Sequence, residues 1–215
     1  MGLASDLARQ ARMQVVTVDY RLAPEHPYPA ALQDVTAAYR ALAGQAGTAG
    51  HIVVSGESAG GNLAVELLIA GKAEGLTMPA AALLFSPMTD LTVTGDSYAG
   101  KAGADPNITA QAIRTRAADY LAGTDPASPL VSPIFADLSG LPPLLIQAGS
   151  HEVLLDDATR LAVKAAADDV AVTLDITPGV PHVFQAFAGI LDEGDTALNR
   201  VARFVADNTA QKVSA

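Results

Sequence analysis

Residues 52–63 read Ile-Val-Val-Ser-Gly-Glu-Ser-Ala-Gly-Gly-Asn-Leu, and this order of residue types predicts both a local fold and a reactive group. The apolar run Ile52–Val54 predicts a buried strand, and the apolar stretch from Asn62 to about Ala70 predicts a helix. Between them, residues 56–60 have the form G-x-S-x-G. A strand, a tight turn and a helix in this order predict a nucleophile elbow, in which the Ser58 hydroxyl is lifted clear of the sheet.

The geometry of such a turn accounts for its residue types. We expect the backbone to approach itself so closely that only a hydrogen fits as the side chain of Gly56 and Gly60. The first turn of the helix offers N–H groups without intrahelical partners and the positive end of the helix dipole, so the Ala59 N–H is a candidate oxyanion donor. An ordinary strand–turn–helix connection with an incidental serine is the competing interpretation, and the flanking pattern disfavours it.

The composition limits the class of protein. At 215 residues the chain is long enough for one sizeable core, so we expect a single domain over residues 1–215. It has 23 acidic and 13 basic residues, a net charge of -10, which disfavours nucleic acid or anionic membrane as a partner. The chain has no cysteine, which excludes disulfides, thiolate zinc sites and a cysteine nucleophile.

The sequence shows no signal for export, for a membrane span or for a metal. Residues 1–10 lack a basic segment followed by an apolar one, and no run of 18 apolar residues occurs. No H-E-x-x-H motif or clustered ligand spacing is present. We therefore expect a cytoplasmic protein that acts on a small molecule without a metal.

Apolar periodicity predicts alternating strands and helices. The predicted strands are Val15–Val18, Ile52–Val54, Ala80–Phe85, Leu144–Gln147 and Val170–Ile176. The predicted helices are Ala4–Met13, Pro29–Ala43, Asn62–Gly71, Thr109–Leu121, Asp156–Ala167 and Ala197–Asn208. This alternation predicts an α/β fold, with a mostly parallel sheet covered by helices on both faces. Residues 87–143 are rich in loops, and we expect them to form a segment with one cap-like helix.

A serine hydroxyl needs a neighbouring base, and the chain has four histidines. His182 follows the last predicted strand in a loop rich in glycine and proline, at the end of the sheet where reacting groups gather, and is the best candidate. His51 precedes the strand that leads to Ser58 and so lies at the wrong end. His26 lies in a proline-rich turn, where a structural role is favoured. His151 is a serious competitor, because it follows the strand Leu144–Gln147.

Acidic residues beside His151 mark that loop as the source of the group that orients the base. Glu152 and Asp156 compete for this role, and Asp157 lies next to them. Asp156 also fits the first turn of the following helix, where a carboxylate is favourable for structural reasons alone. Glu152 lies nearer the strand end, from which a side chain could reach His182. The residues by themselves leave both acids open.

Nearly the whole chain, from about Ala4 to about Val205, resembles the hormone-sensitive-lipase-like family of α/β-hydrolases, the bacterial esterases of that group. The similar segments are D-Y-R-L-A-P-E-H-P at 19–27, G-E-S-A-G-G at 56–61 (with Glu57 for the usual Asp), S-P-L-V-S-P at 128–133, L-P-P at 141–143, G-S-H-E-V-L-L-D at 149–156 and P-H-V-F at 181–184.

The resemblance implies an α/β-hydrolase fold and hydrolysis of carboxylic esters with short to medium acyl chains, without a metal or organic cofactor. The family's acid loop has the form D-x-L-x-D with the first position catalytic. Residues 152–156 fit this frame with glutamate first. The resemblance therefore implies Ser58 as nucleophile, His182 as base and Glu152 as acid, with Asp156 as the alternative. The chain order serine, acid, histidine is also the order of α/β-hydrolases.

The chain departs from the family in one large respect. The H-G-G-G motif, whose glycine N–H groups complete the family's oxyanion hole, does not occur. Counterparts of the first three strands and of the N-terminal cap helices are missing as well. The third of those strands would lie between Val15–Val18 and Ile52–Val54. We expect these two strands to pair with each other, or another chain to fill the gap, because unpaired buried backbone groups are costly.

Two consequences of this departure are predictions in their own right. We expect an open site, an exposed apolar surface and a tendency to form homo-oligomers, through the last strand at Val170–Ile176 or through the unpaired edge. We also keep a second functional hypothesis. In it, the chain is a catalytically impaired relative that binds ligands or partner chains without efficient turnover.

Overall fold

The computed structural model describes residues 2–45 and 49–209. Its strands are β1 (Val53–Glu57), β2 (Ala81–Phe85), β3 (Leu144–His151) and β4 (Val172–Pro181). Its helices are α1 (Leu3–Ala11), α2 (Ala30–Ala43), α3 (Ala59–Ala73), α4 (Ser97–Gly100), α5 (Ala110–Leu121), α6 (Leu155–Ala167) and α7 (Asp192–Thr209). Short 3-10 helices lie at Ala49–His51, Pro133–Phe135 and Phe184–Phe187.

The four strands form one parallel sheet in the order β1-β2-β3-β4. Parallel neighbours require crossovers, and α3 and α6 supply the helices between β1 and β2 and between β3 and β4. Every residue of β2 is buried, which agrees with its uninterrupted apolar sequence Ala-Ala-Leu-Leu-Phe. The predicted α/β fold with a parallel sheet is therefore confirmed.

Helices cover both faces of the sheet, as predicted. On one face, α3 and α6 pack on Leu84, Leu144 and Ile146 through their apolar stripes. On the other face, Leu83, Phe85 and Leu145 meet α7, and α1 packs beside it. Successive side chains along each strand point to opposite faces of the sheet and so belong to two separate apolar clusters. These two clusters hold the helices on both faces of the sheet.

The strands and the nucleophile helix extend further toward the site than the sequence pattern predicts. Helix α3 begins at Ala59 instead of Asn62, because Ala59-Gly60-Gly61 continue its first turn. Strands β3 and β4 run to His151 and Pro181, where prediction ends at Gln147 and Ile176. Most of the additional residues are polar or are Gly or Pro, so apolar periodicity does not reveal them. They carry the acid and histidine loops to the carboxyl edge of the sheet.

The predicted strand at Val15–Val18 is wrong. In the described structure, residues 14–22 have no regular secondary structure, and the exposed fractions of Val15 and Val16 are 40% and 55%. Strand β1 has β2 as its one hydrogen-bonded neighbour in this sheet, so neither the expected pairing with Val15–Val18 nor another strand fills its second edge. A β-branched run has a preference for extended backbone, but a strand exists only where a ladder partner is available.

Residues 87–143 form loops and short helices above the carboxyl edge of the sheet. Helix α5 places Ile113, Ala117 and Leu121 against a separate apolar cluster that includes Val153 and Leu154 of the acid loop. Thr109 caps this helix, since its Oγ1 accepts a hydrogen bond from the Ala112 N–H at 3.1 Å. The loop that contains Glu152 is thus packed under α5. No helix within residues 2–45 and 49–209 is long and apolar enough to cross a bilayer.

Candidate active site

Ser58 lies on the turn between β1 and α3 in a strained backbone conformation. Its φ of 54° and ψ of -119° fall where residues with a side chain are rarely found. Backbone hydrogen bonds on both sides hold it there: the Ser58 N–H donates to Phe85 O at 2.9 Å, and its carbonyl accepts from Met88 N at 3.1 Å. The strand-to-helix turn is therefore clamped by the end of β2, and Ala59 begins the helix with its N–H in the first turn.

The two glycines of the elbow differ in what they allow. A Cβ at Gly56 would lie 2.0 Å from the carbonyl oxygen of Gly60, so only hydrogen fits there, as predicted. The same prediction is wrong for Gly60, because a Cβ built there has nothing within 4 Å outside its own helix and neighbours. The second closely packed glycine is Gly61, whose Cβ would lie 2.8 Å from Cβ of Pro87. The carbonyl oxygen of Gly60 makes the close approach to Gly56, and the position that a Cβ of Gly60 would occupy is open space.

This difference predicts opposite results for two matched substitutions. Gly56→Ala should lower the free energy of unfolding by about 3 kcal/mol, because the new methyl group overlaps fixed backbone that cannot move without opening the elbow. Gly60→Ala should leave stability unchanged or raise it by about 0.5–1 kcal/mol, since alanine is the better helix former. Urea unfolding of both variants measures this. Equal destabilisation by the two substitutions would contradict the assigned geometry.

Glu152 lies in the turn after β3 and is fully buried. Its Oε2 accepts two hydrogen bonds, from Ser86 Oγ at 2.8 Å and from the Gly149 N–H at 2.9 Å. Its Oε1 lies 3.9 Å from Nδ1 of His182. Neither Oε1 nor that Nδ1 has a hydrogen-bond partner among the described residues. Two buried polar atoms that otherwise lack partners thus face each other.

Strand pairing explains how Glu152 and His182 meet. Strands β3 and β4 pair in register up to Gly149 opposite Thr177, and a shift then places His151 opposite Pro181. A Cβ at Gly149 would lie 2.2 Å from the carbonyl oxygen of Val180, so glycine is required for this close approach. His182 follows immediately and is 8% exposed. The irregularity therefore brings the residues after the two strand ends together.

The other candidates from the sequence occupy different positions. Asp156 lies in the first turn of α6, and its Oδ2 accepts a hydrogen bond from the Ser97 N–H at 2.9 Å. His151 ends β3 and is exposed, as are His26 in its turn and His51 before β1. The geometry therefore favours Glu152 over Asp156 as the partner of His182. His151, the residue before Glu152, is exposed to solvent instead.

Ser86 is a residue of the site that the sequence reasoning missed. It directly follows β2, is fully buried, and has a φ of 47°. Its hydroxyl donates to Oε2 of Glu152 and accepts from the Val183 N–H at 3.1 Å. The dipeptide Ser86-Pro87 carries no distinctive local signal. The position could have been suspected only because it ends the strand next to the nucleophile strand.

A buried carboxyl group lies on α3, the helix that follows Ser58. Glu66 is 2% exposed, and its oxygens accept from Asn62 Nδ2 and from Tyr120 OH, each at 2.7 Å. Burial raises the pKa of Glu66 to about 8, and the hydrogen bonds from Tyr120 and Asn62 counteract part of that rise. Glu66 is therefore mostly protonated in the folded protein at neutral pH.

Glu66 should make the stability of the protein depend on pH. The pKa of Glu66 is higher in the folded protein than in the unfolded chain. Its contribution to the free energy of unfolding is therefore fully present at low pH and is lost as pH rises from about 4.5 toward about 8. Glu66→Gln keeps the shape and cannot ionise. We expect it to match the parent at pH 5 and to be more stable by about 2–4 kcal/mol at pH 8.5. Urea unfolding at both pH values tests this, and a constant difference between the two proteins would contradict it.

Comparison with known proteins agrees with this arrangement. The profile of a family with the α/β hydrolase fold matches residues 2–186. An esterase of Acinetobacter venetianus is 41% identical over 204 residues, which cover 94% of this chain and 67% of the relative. An acetyl-hydrolase of Streptomyces hygroscopicus is 41% identical over 209 residues, which cover 97% of this chain and 70% of that protein. The chain thus spans about 70% of the length of these relatives.

Solved structures give the same result. The crystal structure of an esterase from the bacterial hormone-sensitive lipase family superposes with a TM-score of 0.94 at 43% identity, over 96% of this chain and 70% of that one. The fold and the elbow define an α/β-hydrolase. The chain belongs to the α/β-hydrolase fold family and, within it, to the esterases of hormone-sensitive-lipase type. It is a serine carboxylesterase, and the predicted family is confirmed.

Proposed function

We propose that this protein hydrolyses carboxylic esters with short to medium acyl chains through a triad of Ser58, His182 and Glu152. The observation that carries the proposal is the buried pair of Glu152 and His182, with two otherwise unpartnered atoms 3.9 Å apart. The pair is anchored on the same strand end that clamps the backbone of Ser58. Catalytic hydrogen bonds are often long before substrate binds, so this separation suits a base and its orienting group.

Each residue of the triad has a distinct role in the proposed mechanism. Ser58 Oγ attacks the ester carbonyl carbon while Nε2 of His182 accepts the hydroxyl proton. Glu152 accepts a hydrogen bond from the Nδ1–H of His182, which holds the required tautomer and stabilises the imidazolium. The imidazolium then protonates the departing alcohol oxygen, and an acyl-enzyme remains on Ser58. Water attacks the acyl carbon by the same route in reverse and releases the acid.

The Ala59 N–H, at the first residue of α3, is the oxyanion donor in this mechanism. A helix N-terminus presents both unpaired N–H groups and a positive dipole end to a developing negative charge. Since the loss of one oxyanion donor costs about 10²–10³-fold in turnover, the Ala59 N–H should contribute an effect of this size.

The proposed substrate class draws on the names of similar proteins. One relative is described as an acetyl-hydrolase, and crystals of the similar esterase EstE5 were soaked with p-nitrophenyl butyrate. Both names refer to short acyl groups, acetyl in the first and butyrate in the second. We therefore place the substrates of this chain among esters of acetate, butyrate and slightly longer acids.

The proposal can be tested with p-nitrophenyl esters of increasing acyl length and with a fluorophosphonate. The latter phosphonylates an activated serine as fluoride leaves. We expect turnover to be highest for acetate to hexanoate esters and one phosphonyl group on Ser58, located by mass spectrometry of peptides. Ser132, which is fully buried and hydrogen-bonded, should remain unmodified. Absence of both turnover and labelling would contradict the proposal and favour the second hypothesis, a relative that binds ligands with little turnover.

A further inference from the structure

The segment after β2 contacts all three parts of the proposed triad. Phe85 and Met88 hold the backbone of Ser58 through hydrogen bonds, and Ser86 between them contacts both the acid and the histidine loop. We propose that Ser86 is a positioning residue that fixes the orientation of the Glu152 carboxylate toward His182 and holds the backbone after His182 in place. This inference rests on the proposed triad.

The hydrogen bonds of Glu152 show how one hydroxyl can fix the orientation of a carboxylate. A carboxylate has two equivalent oxygens and can rotate about its last torsion. Here Oε2 accepts from both Ser86 Oγ and the Gly149 N–H, so rotation would break two hydrogen bonds. Oε1 is left with lone pairs that no other described donor satisfies, and it points to Nδ1 of His182. The acid is therefore oriented before a charge develops on the imidazole.

The same hydroxyl also acts on the histidine loop. Val183 has a φ of 51°, which is unfavourable for a β-branched residue, and its N–H donates to Ser86 Oγ at 3.1 Å. Ser86 is itself in the left-handed region with a φ of 47°, and its N–H donates to Gln147 O of β3 at 2.7 Å. Two strained residues are thus held against each other by one side chain. Strain retained at a site and fixed by its surroundings is typical of functional positions.

Serine suits both roles because its hydroxyl donates one hydrogen bond and accepts another at the same oxygen. Alanine would remove both bonds and leave the partly buried Val183 N–H without its acceptor. Glycine would also remove them, but it would relieve the strain at φ 47°. Comparison of the two variants therefore separates the hydroxyl's effect on chemistry from the backbone's effect on stability.

The experiment compares Ser86→Ala and Ser86→Gly with Ser132→Ala. Ser132 is the matched control, since it is fully buried and also donates one hydrogen bond and accepts one, to Pro126 and from Leu91. For each protein we would measure kcat and KM with p-nitrophenyl butyrate, the rate of phosphonylation of Ser58 by a fluorophosphonate, and the melting temperature.

We expect both Ser86 variants to lose about 10²-fold in kcat and in phosphonylation rate, with KM little changed, because a small misplacement of reacting groups has an effect of this size. Ser86→Gly should melt higher than Ser86→Ala and yet be equally slow. Ser132→Ala should keep the parent kcat.

Two other results would overturn the inference. If Ser58 of the parent is phosphonylated while the Ser86 variants keep the kcat and phosphonylation rate of Ser132→Ala, the triad stands and Ser86 has no positioning role. If Ser86→Gly recovers both melting temperature and kcat, the residue acts only through backbone stability. If the parent shows neither turnover nor labelling, the proposed triad fails and this inference fails with it.

Discussion

Ser58→Ala should lower kcat for p-nitrophenyl butyrate by about 10⁴-fold or more while KM changes little. The hydroxyl is the group that becomes covalently bonded to the acyl carbon, and no neighbouring side chain can take its place on the elbow. Residual turnover should come from the oxyanion donor and from binding alone. Turnover of the variant at the parent's rate would exclude Ser58 as nucleophile.

A second substitution at this position separates chemistry from strain. Ser58 has a φ of 54°, which alanine must also adopt but which glycine adopts without cost. Ser58→Gly should therefore be as inactive as Ser58→Ala and more stable than it by about 1 kcal/mol. Urea unfolding of the two variants measures the difference. Identical stabilities would show that the elbow is not strained in the folded protein.

Glu152→Gln should lower kcat by about 10³–10⁴-fold, because the amide imposes the wrong histidine tautomer. In the parent protein, Oε2 accepts hydrogen bonds from Ser86 Oγ and from the Gly149 N–H. The amide oxygen of the glutamine must occupy the same position, because only an acceptor can satisfy these two donors. The amide nitrogen then donates to Nδ1 of His182, and the proton moves to Nε2. An imidazole in that form cannot accept the proton of Ser58.

Asp156→Asn is the matched control for this result, and it separates the two acids that the sequence leaves open. Asp156, in the first turn of α6, accepts a hydrogen bond from the Ser97 N–H at the start of α4. The asparagine oxygen can accept the same bond. We expect kcat within about threefold of the parent, since removal of a single charge at a helix start is worth at most about 1 kcal/mol. Parallel kcat measurements at pH 8 decide the matter. Loss of activity in Asp156→Asn alone would assign the acid role to Asp156.

Local rules explain what could be predicted about the elbow and its helix. Gly56 must be glycine because backbone atoms approach within the reach of a Cβ, and such a requirement is visible in a pentapeptide. The same local reasoning is wrong for Gly60, whose side-chain direction depends on how the first turn of α3 leaves the strand. The sequence pattern also places the start of α3 too far along the chain, because two consecutive glycines have weak helix propensity. Their helical conformation depends on the backbone hydrogen bonds that hold Ser58.

Pairing between distant segments explains what could not be predicted. Val15–Val18 has the composition of a strand, and yet the structure leaves it exposed beside a sheet whose edge it does not join. Strands β3 and β4 extend past their apolar residues because each pairs with the other, and their register shift lies where Gly149 meets Val180. Neither feature follows from periodicity, which describes one segment at a time.

The sequence by itself determined the α/β architecture, the family and the nucleophile elbow, because these depend on residue spacing along one short segment after another. It narrowed the base to His182 through the order of strands and the acid to two residues of one loop. The tertiary structure alone decided that Glu152 faces His182, that Asp156 accepts a hydrogen bond from the Ser97 N–H, and that Ser86 lies between the acid and histidine loops. The two hydrogen bonds of the Ser86 hydroxyl reach groups that lie 66 and 97 positions away in the chain, and only packing of the strand ends brings these groups within hydrogen-bond distance.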